Sequence, residues 1–212
     1  MTFIKTAVSA VALALAATAS HAQEVRLGAG LALFGPSLEA QVALTDSFSL
    51  RGMWSGGLSA TGNTTADGLD YSVDALIGAT SLLATYHIPG GLRMSGGFLM
   101  PNTTINGTTS SAGGATVGGV VIPGAFDISS TTTFVNDFAP MATMGFDFEL
   151  LGAVLSTDAG VVKTGGFDVS LTQTSGAAIG DSNLRTAETT IEGELNRFDY
   201  LPYFSVMVGR WF

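Results

Sequence analysis

Tyr203-Phe204-Ser205-Val206-Met207-Val208-Gly209-Arg210-Trp211-Phe212 closes the chain, and its side chains alternate with a period of two. Phe204, Val206, Val208 and Phe212 fall on one face, and Tyr203, Ser205, Met207 and Gly209 fall on the other. Successive side chains of a strand point to opposite sides, whereas a helix would repeat its apolar positions every three or four residues. The segment therefore reads as a strand with one strongly apolar face. Such a face suits lipid, while Ser205 and Gly209 suit a narrow lumen. Arg210 shares the apolar parity, and near a strand end its long side chain can snorkel to water.

The alternation recurs upstream. Leu38, Ala40, Val42 and Leu44 oppose Ser37, Glu39, Gln41 and Ala43; after the turn Thr45-Asp46-Ser47, Phe48, Leu50, Trp54 and Leu58 oppose Ser49, Arg51, Ser55 and Ser59. Tyr71, Val73, Ala75 and Ile77 then oppose Asp70, Ser72 and Asp74, and the phase blurs near Ser81, which predicts a bulge or bend there. Beyond the Pro89-Gly90-Gly91 turn, Leu92, Met94, Phe98 and Met100 oppose Arg93, Ser95 and Gly97. Residues 134–148 read as one long strand, in which Pro140 needs a bulge or a non-hydrogen-bonded position. A hairpin about Glu149 leads into a second long strand over 151–172, which ends with Phe167, Val169 and Leu171 against Asp168, Ser170 and Thr172.

These are seven long strands, and an even number is needed to put both termini on one side of a membrane. Residues 25–33 supply the eighth, joined by a tight turn at Phe34-Gly35-Pro36. The connections 45–47, 88–91 and 148–151 are short, whereas 61–69, 102–125 and 175–196 are long and rich in Gly, Thr, Ser and Asn. Short periplasmic turns and long external loops have this asymmetry. The expected fold is all-β: an eight-stranded antiparallel up-and-down transmembrane β-barrel.

The ends and the composition agree with export. Lys5 precedes an apolar run over 7–17 and Ser20-His21-Ala22 supplies small residues for cleavage, so 1–22 reads as a signal peptide and 23–212 as the barrel domain. That run is shorter than the roughly 20 residues a spanning helix needs, and no later stretch approaches ~18. Any span is made of strands. The sequence has 28 Gly and only 12% charged residues, which fits a sheet with close backbone approaches better than a helical bundle. It has no Cys, so packing and backbone hydrogen bonds supply its stability. The formal charge of −9 becomes −10 once Lys5 leaves with the leader, and this excludes nucleic-acid binding and a polybasic membrane patch.

Alternation alone does not say which face is inside, since a secreted lipocalin-like barrel alternates with its apolar face inward. The charges arbitrate. Glu39, Arg51, Asp74, Arg93, Asp147 and Asp168 all oppose the aromatic and branched residues, and a lumen would let both signs pair. Glu39 and Arg51 lie at nearly equal distance from the Asp46 turn on adjacent strands and are expected to meet. Eight strands leave an interior just filled by side chains, so an open pore is not expected.

The terminal Phe212 with Val208, Val206 and Phe204 resembles the insertion signal of outer-membrane barrels, with Arg210 in place of the usual aromatic third from the end. The resemblance implies handling by the barrel assembly machinery and periplasmic chaperones. Gly35-Pro36-Ser37-Leu38-Glu39-Ala40, Leu44-Thr45-Asp46, Leu50-Arg51-Gly52, Asp70-Tyr71, Pro89-Gly90-Gly91-Leu92-Arg93, Asn136-Asp137-Phe138-Ala139-Pro140 and Phe198-Asp199-Tyr200 extend the likeness over nearly the whole domain. Together they resemble the small outer-membrane barrels of proteobacteria, OmpA/OmpX-like and porin-family-like, most of which have no assigned chemistry. That family implies an outer-membrane location, contact with outer-membrane lipid and lipopolysaccharide, and a monomer.

Residues able to carry chemistry are few. His87 is the one histidine after the leader and sits by the Pro89 turn; a His87, Ser95 and Asp147 grouping is weaker than an ordinary interface histidine. One histidine and no cysteine make no metal-ligand cluster. Asp67, Asp70 and Asp74 offer oxygen ligands for calcium, but without EF-hand spacing they read as a solvated rim. Gly28-Ala29-Gly30 has no strand-to-helix context for phosphate, and the N-x-T sites at Asn63, Asn102 and Asn106 mark Thr-rich loops. No catalytic, cofactor or metal residue is assigned. The expectation is a structural or surface-interaction scaffold, with a narrow channel for small solutes as the alternative and a lipid-modifying enzyme behind both.

Overall fold

The structure is a computed structural model that describes residues 24–66 and 69–212. The expected leader over 1–22 and the Asp67 ligand lie outside these residues. Among the described residues, thirteen strands and one α-helix follow in order: β1 (Val25–Ala32), β2 (Gly35–Ala43), β3 (Phe48–Ala66), β4 (Leu69–His87), β5 (Leu92–Pro101), β6 (Thr104–Ser111), β7 (Ala115–Val117), β8 (Val120–Ile122), β9 (Phe126–Phe134), β10 (Ala139–Leu150), β11 (Ala153–Lys163), β12 (Phe167–Gly176), α1 (Asp181–Leu195) and β13 (Tyr200–Trp211). Eight of the strands close an antiparallel barrel in the cyclic order β1-β2-β3-β4-β5-β10-β11-β13. The last strand pairs with the first from Arg26–Trp211 to Ala32–Ser205. That seam brings backbones so close that a Cβ on Gly30 would lie 2.0 Å from the Val206 carbonyl oxygen.

The wall has the polarity expected from the alternation. Leu38, Trp54, Leu82, Met94, Phe98, Met144, Phe204, Val206 and Val208 all point outward and are exposed. From Tyr200 to Arg210 the outward positions of β13 span ten residue steps, about 33 Å of strand at roughly 3.3 Å per residue. A tilt of about 40° reduces this to about 25 Å, the height of the apolar band of a transmembrane barrel. No helix of the described residues is long and apolar enough to cross a membrane.

The start of β1, the C-terminal Phe212 and the turns at 44–47, 88–91 and 151–152 lie at one end, here the terminal end. The last of these is a two-residue hairpin with Leu151 at φ 54° and Gly152 at φ 79°, two residues beyond the expected Glu149. Two central residues in the left-handed region match the twist of the flanking strands.

The far end departs from the expected loops. Residues 61–69 are almost entirely strand, because β3 and β4 run on together past the barrel mouth. Segment 102–125 contains β6, β7 and β8, and segment 175–196 contains α1. The long strands expected over 134–148 and 151–172 are each broken, at residues 135–138 and at Thr164-Gly165-Gly166, where both glycines have positive φ. Strands β6, β9 and β12 join the upper halves of β3 and β4 in a five-stranded sheet ordered β3-β4-β6-β9-β12. The transition from wall to sheet in β3 is a bulge: Gly56 and Gly57 oppose only Gly78 between the pairs Ser55–Ala79 and Leu58–Ile77. Ser81 is regularly paired with Met53; the bulge lies on the partner strand, opposite Gly78, three residues before Ser81.

This far-end sheet is a head with its own core. Val117, Ile122, Phe126, Ile128, Ile179 and Leu184 bury one another between the sheet, the β7–β8 hairpin and α1. Helix α1 also covers the edge of β12, where Val169 N–H donates to Glu192 Oε1 at 3.1 Å and Leu171 N–H to Glu188 Oε1 at 2.7 Å. Four helical residues rise about 6 Å and two strand residues about 6.6 Å. Glutamates four apart on the helix thus reach amides two apart on the strand.

Candidate functional site

The lumen is filled by two layers. Toward the terminal end, Arg26, Arg51 and Arg93 interlock with Glu39, Asp147 and Asp158, three positive and three negative groups with no net charge. Asp158 is the hub. Arg51 donates to its two oxygens at 2.7 and 3.4 Å, Arg93 at 2.8 and 3.2 Å, and Ser205 Oγ at 3.1 Å. Arg93 also donates to Asp147 at 2.6 Å, and Arg26 links Glu39 at 2.6 Å to Asp147 at 3.3 Å. The Trp211 ring lies 5.5 Å from the Arg26 guanidinium, so the closing strand also caps this layer.

Above the ions lies an apolar layer formed by Met53, Leu83, Leu99, Ala139, Met141, Val162, Tyr203 and Met207. Phe34, in the tight β1–β2 turn, tucks in from the far end and meets Phe134 edge to face at 6.5 Å; Phe134 in turn stacks on Phe167 at 4.7 Å. Arg51 is 1% exposed, and Arg93, Leu83 and Val162 are 0% exposed. The apolar layer is closed to solvent, and the ion layer is partly exposed only at Asp147, whose side chain is 16% exposed.

Of the charges expected inside, Glu39, Arg51, Arg93 and Asp147 are brought together here. Glu39 and Arg51 approach only to 3.5 Å, because the residue directly across from Arg51 is Gln41 and its main partner is Asp158. Asp74 and Asp168 are not in the lumen. Both are exposed on the head sheet, since β4 above the bulge and β12 beyond the Gly165–Gly166 break have already left the barrel wall. Two network residues were not anticipated, Arg26 and Asp158. Each was readable from parity: Arg26 alternates with outward Leu27 and Leu31, and Asp158 with outward Leu155 and Val161.

His87 Nε2 lies 2.8 Å from Ser49 Oγ and 3.0 Å from Gln41 Nε2, while Ser95 Oγ bonds to Thr85 and Asp147 bonds to arginines and Ser156. The His87, Ser95 and Asp147 grouping is not assembled. Ser49 is itself buried. Among the described residues no cluster of His, Asp and Glu has metal-binding proximity.

On the head, the sheet face away from the helix is a grid of short polar side chains. Asn63, Ser72, Thr108, Ser129 and Thr172 form one cross-strand row, and Thr61, Asp74, Asn106, Thr131 and Ser170 form another. None of the five strand segments carries Lys or Arg. Hydrogen bonds from Ser175 and Ser110 hold the exposed Asp127 carboxyl below its ordinary range. Of the two sheet edges, β12 is covered by the α1 glutamates. From Leu58 to Thr65, β3 pairs only with β4.

The solved structures that this chain resembles include two proteins of Acinetobacter baumannii, CarO2 and CarO. CarO2 superposes with a TM-score of 0.55 at 19% identity, covering 90% of this chain and 98% of that one. CarO gives 0.54 at 19% identity, with 89% and 97% covered. The chain shares their fold. The coverage means that the likeness includes the far-end additions as well as the barrel. No family model matches the sequence, and no curated protein does.

Proposed function

We propose that this protein is a closed barrel of the bacterial outer membrane that holds its head outside the cell as an interaction surface. The observation that carries the reading is the double filling of the lumen by a neutral ion network beneath an apolar layer. A solute path would have to part six charges that satisfy one another and an apolar stopper. In this reading the terminal end faces the periplasm, and Phe204, Val206 and Val208, exposed on the wall of β13, together with the exposed Phe212 that follows it, form the insertion signal read by the assembly machinery. The unevenly treated sheet edges support an interaction role. Natural proteins blunt strand edges with charge, proline or a cover. The covered β12 edge follows that rule, whereas the uncharged β3 edge stands open to strand addition by a partner.

Two measurements test the proposal. In planar bilayers the purified protein should carry no steady current, and the double variant Glu39→Gln, Arg51→Gln should not create a large one; a steady single-channel current in the parent would establish the channel reading instead. Because the sequence has no Cys, a single introduced thiol is unique. Thr108→Cys should react with a membrane-impermeant maleimide on intact cells, while Ser47→Cys should react only after permeabilisation. The reverse pattern would refute the orientation.

A further inference from the structure

The lipid-facing wall is not uniform. Near its far end it is indented by a shallow groove of about 490 Å³ that crosses β5, β10, β11 and β13. It is lined by Gly97, Phe98, Pro140, Met141, Ala142 and Val161, and by the cross-strand pair Lys163 and Tyr200 at the far ends of β11 and β13. That volume lies within the range of small-molecule pockets, roughly 300–1,000 Å³. The groove is part of the apolar band, so what covers it is a membrane component. The question is whether it selects one.

Lys163 supplies the selection. Its ammonium lies 5.7 Å from the centre of the Tyr200 ring, and among the described residues no carboxylate lies within salt-bridge distance. It is the sole lysine beyond the leader, in a sequence of formal charge −9. The net charge of the protein disfavours anions, whereas this point attracts them beside an apolar trough. An aromatic ring beside a cation at headgroup depth is the usual furniture of a membrane interface.

From this we infer that the groove is a binding site for one phosphate-bearing membrane lipid, with an acyl chain along Ala142 and Val161 and the phosphate on Lys163. The inference rests on the membrane-barrel reading above. A cation of this kind near an anionic lipid gives about a fivefold preference over a zwitterionic one.

The test is native mass spectrometry of the full-length barrel in nonionic detergent, titrated with phosphatidylglycerol or phosphatidylcholine of equal chain length. The parent should take up one phosphatidylglycerol with about fivefold preference. Lys163→Gln should bring that preference to near unity while keeping chain binding, and Ala142→Trp, which fills the trough from the lipid side, should weaken both lipids. Heat-modifiable gel migration of each variant reports the barrel separately, so a lost barrel and a lost site give different results. The inference is overturned if no saturable first lipid binds, if Lys163→Gln keeps the preference, if Ala142→Trp binds like the parent in a folded barrel, or if millimolar inorganic phosphate displaces the lipid, which would make this a simple anion site.

Discussion

Asp158→Asn removes one charge from the centre of the lumen and little else. The carboxylate it replaces accepts from Arg51, Arg93 and Ser205, so an amide there loses one acceptor oxygen and turns a donor toward a guanidinium. The network passes from neutral to one uncompensated positive charge among arginines that are at most 1% exposed. Breaking a buried ion pair by removing one partner costs about 3–5 kcal/mol. Arg93 keeps Asp147 at 2.6 Å and Arg51 keeps Glu39 at 3.5 Å, which places the expected loss at the lower end, about 3 kcal/mol. With a urea dependence of about 2 kcal/mol per molar, the unfolding midpoint in lipid vesicles should fall by about 1.5 M. Adding Arg51→Gln restores neutrality, and the double variant should regain about 1–2 kcal/mol, or roughly 0.5–1 M, as groups within one network couple by such amounts. Tryptophan fluorescence across a urea series measures both shifts. A single variant with the parent's midpoint, or a double variant weaker than the single, would refute a desolvated, mutually satisfied network.

Other perturbations separate the barrel from the head. Glu188→Ala with Glu192→Ala uncovers the β12 amides, and charge-assisted hydrogen bonds of this kind contribute about 1.5–3 kcal/mol each; hydrogen exchange at Val169 and Leu171 should accelerate while the barrel strands stay protected. Asp127→Asn should flatten the acid sensitivity of the head. Asp127 has a lowered pKa in the fold, so its contribution is fully present above the ordinary carboxylate pKa and is lost as pH falls through the lowered value; proteolysis of the head across pH 5 to 2 reads this out, and an unchanged profile counts against it. Gly30→Leu puts a side chain where the seam has no room, and the heat-modifiable band should be lost or much reduced. Deleting Phe212 should impair assembly in cells, seen as loss of the same band; normal assembly would show that the rest of β13 suffices.

The wall was legible in the sequence because lipid on one side and a narrow lumen on the other impose a period-two alternation that no solvated sheet needs so strictly. Phe204, Val206 and Val208 against Ser205 and Met207 is that constraint written out. The same rule misplaced Asp74 and Asp168, whose strand segments stand beyond the barrel wall: Asp74 shares the parity of outward Leu82 and Tyr86 on β4, and Asp168 follows the break at Gly165–Gly166. Alternation reports the face of a strand but not its height along the barrel axis. Height is set by Gly56–Gly57 and Gly165–Gly166, where the backbone bends, and those glycines look in sequence like the many others a barrel uses. The head was hidden for a related reason: its segments are short and rich in Thr, Ser and Gly, the composition of loops, and they become strands only because β3 and β4 rise past the rim as a template. Its core draws on Val117, Ile122, Phe126, Ile179 and Leu184, residues too far apart in sequence to form a periodic signal. The helix is the sharpest case. Glu188 and Glu192 read as ordinary solvated charges, yet four residues of helix match two of strand closely enough to make them the cover of a sheet edge. That no described residue forms a matching cover on β3 then becomes informative, because the same chain builds one on β12.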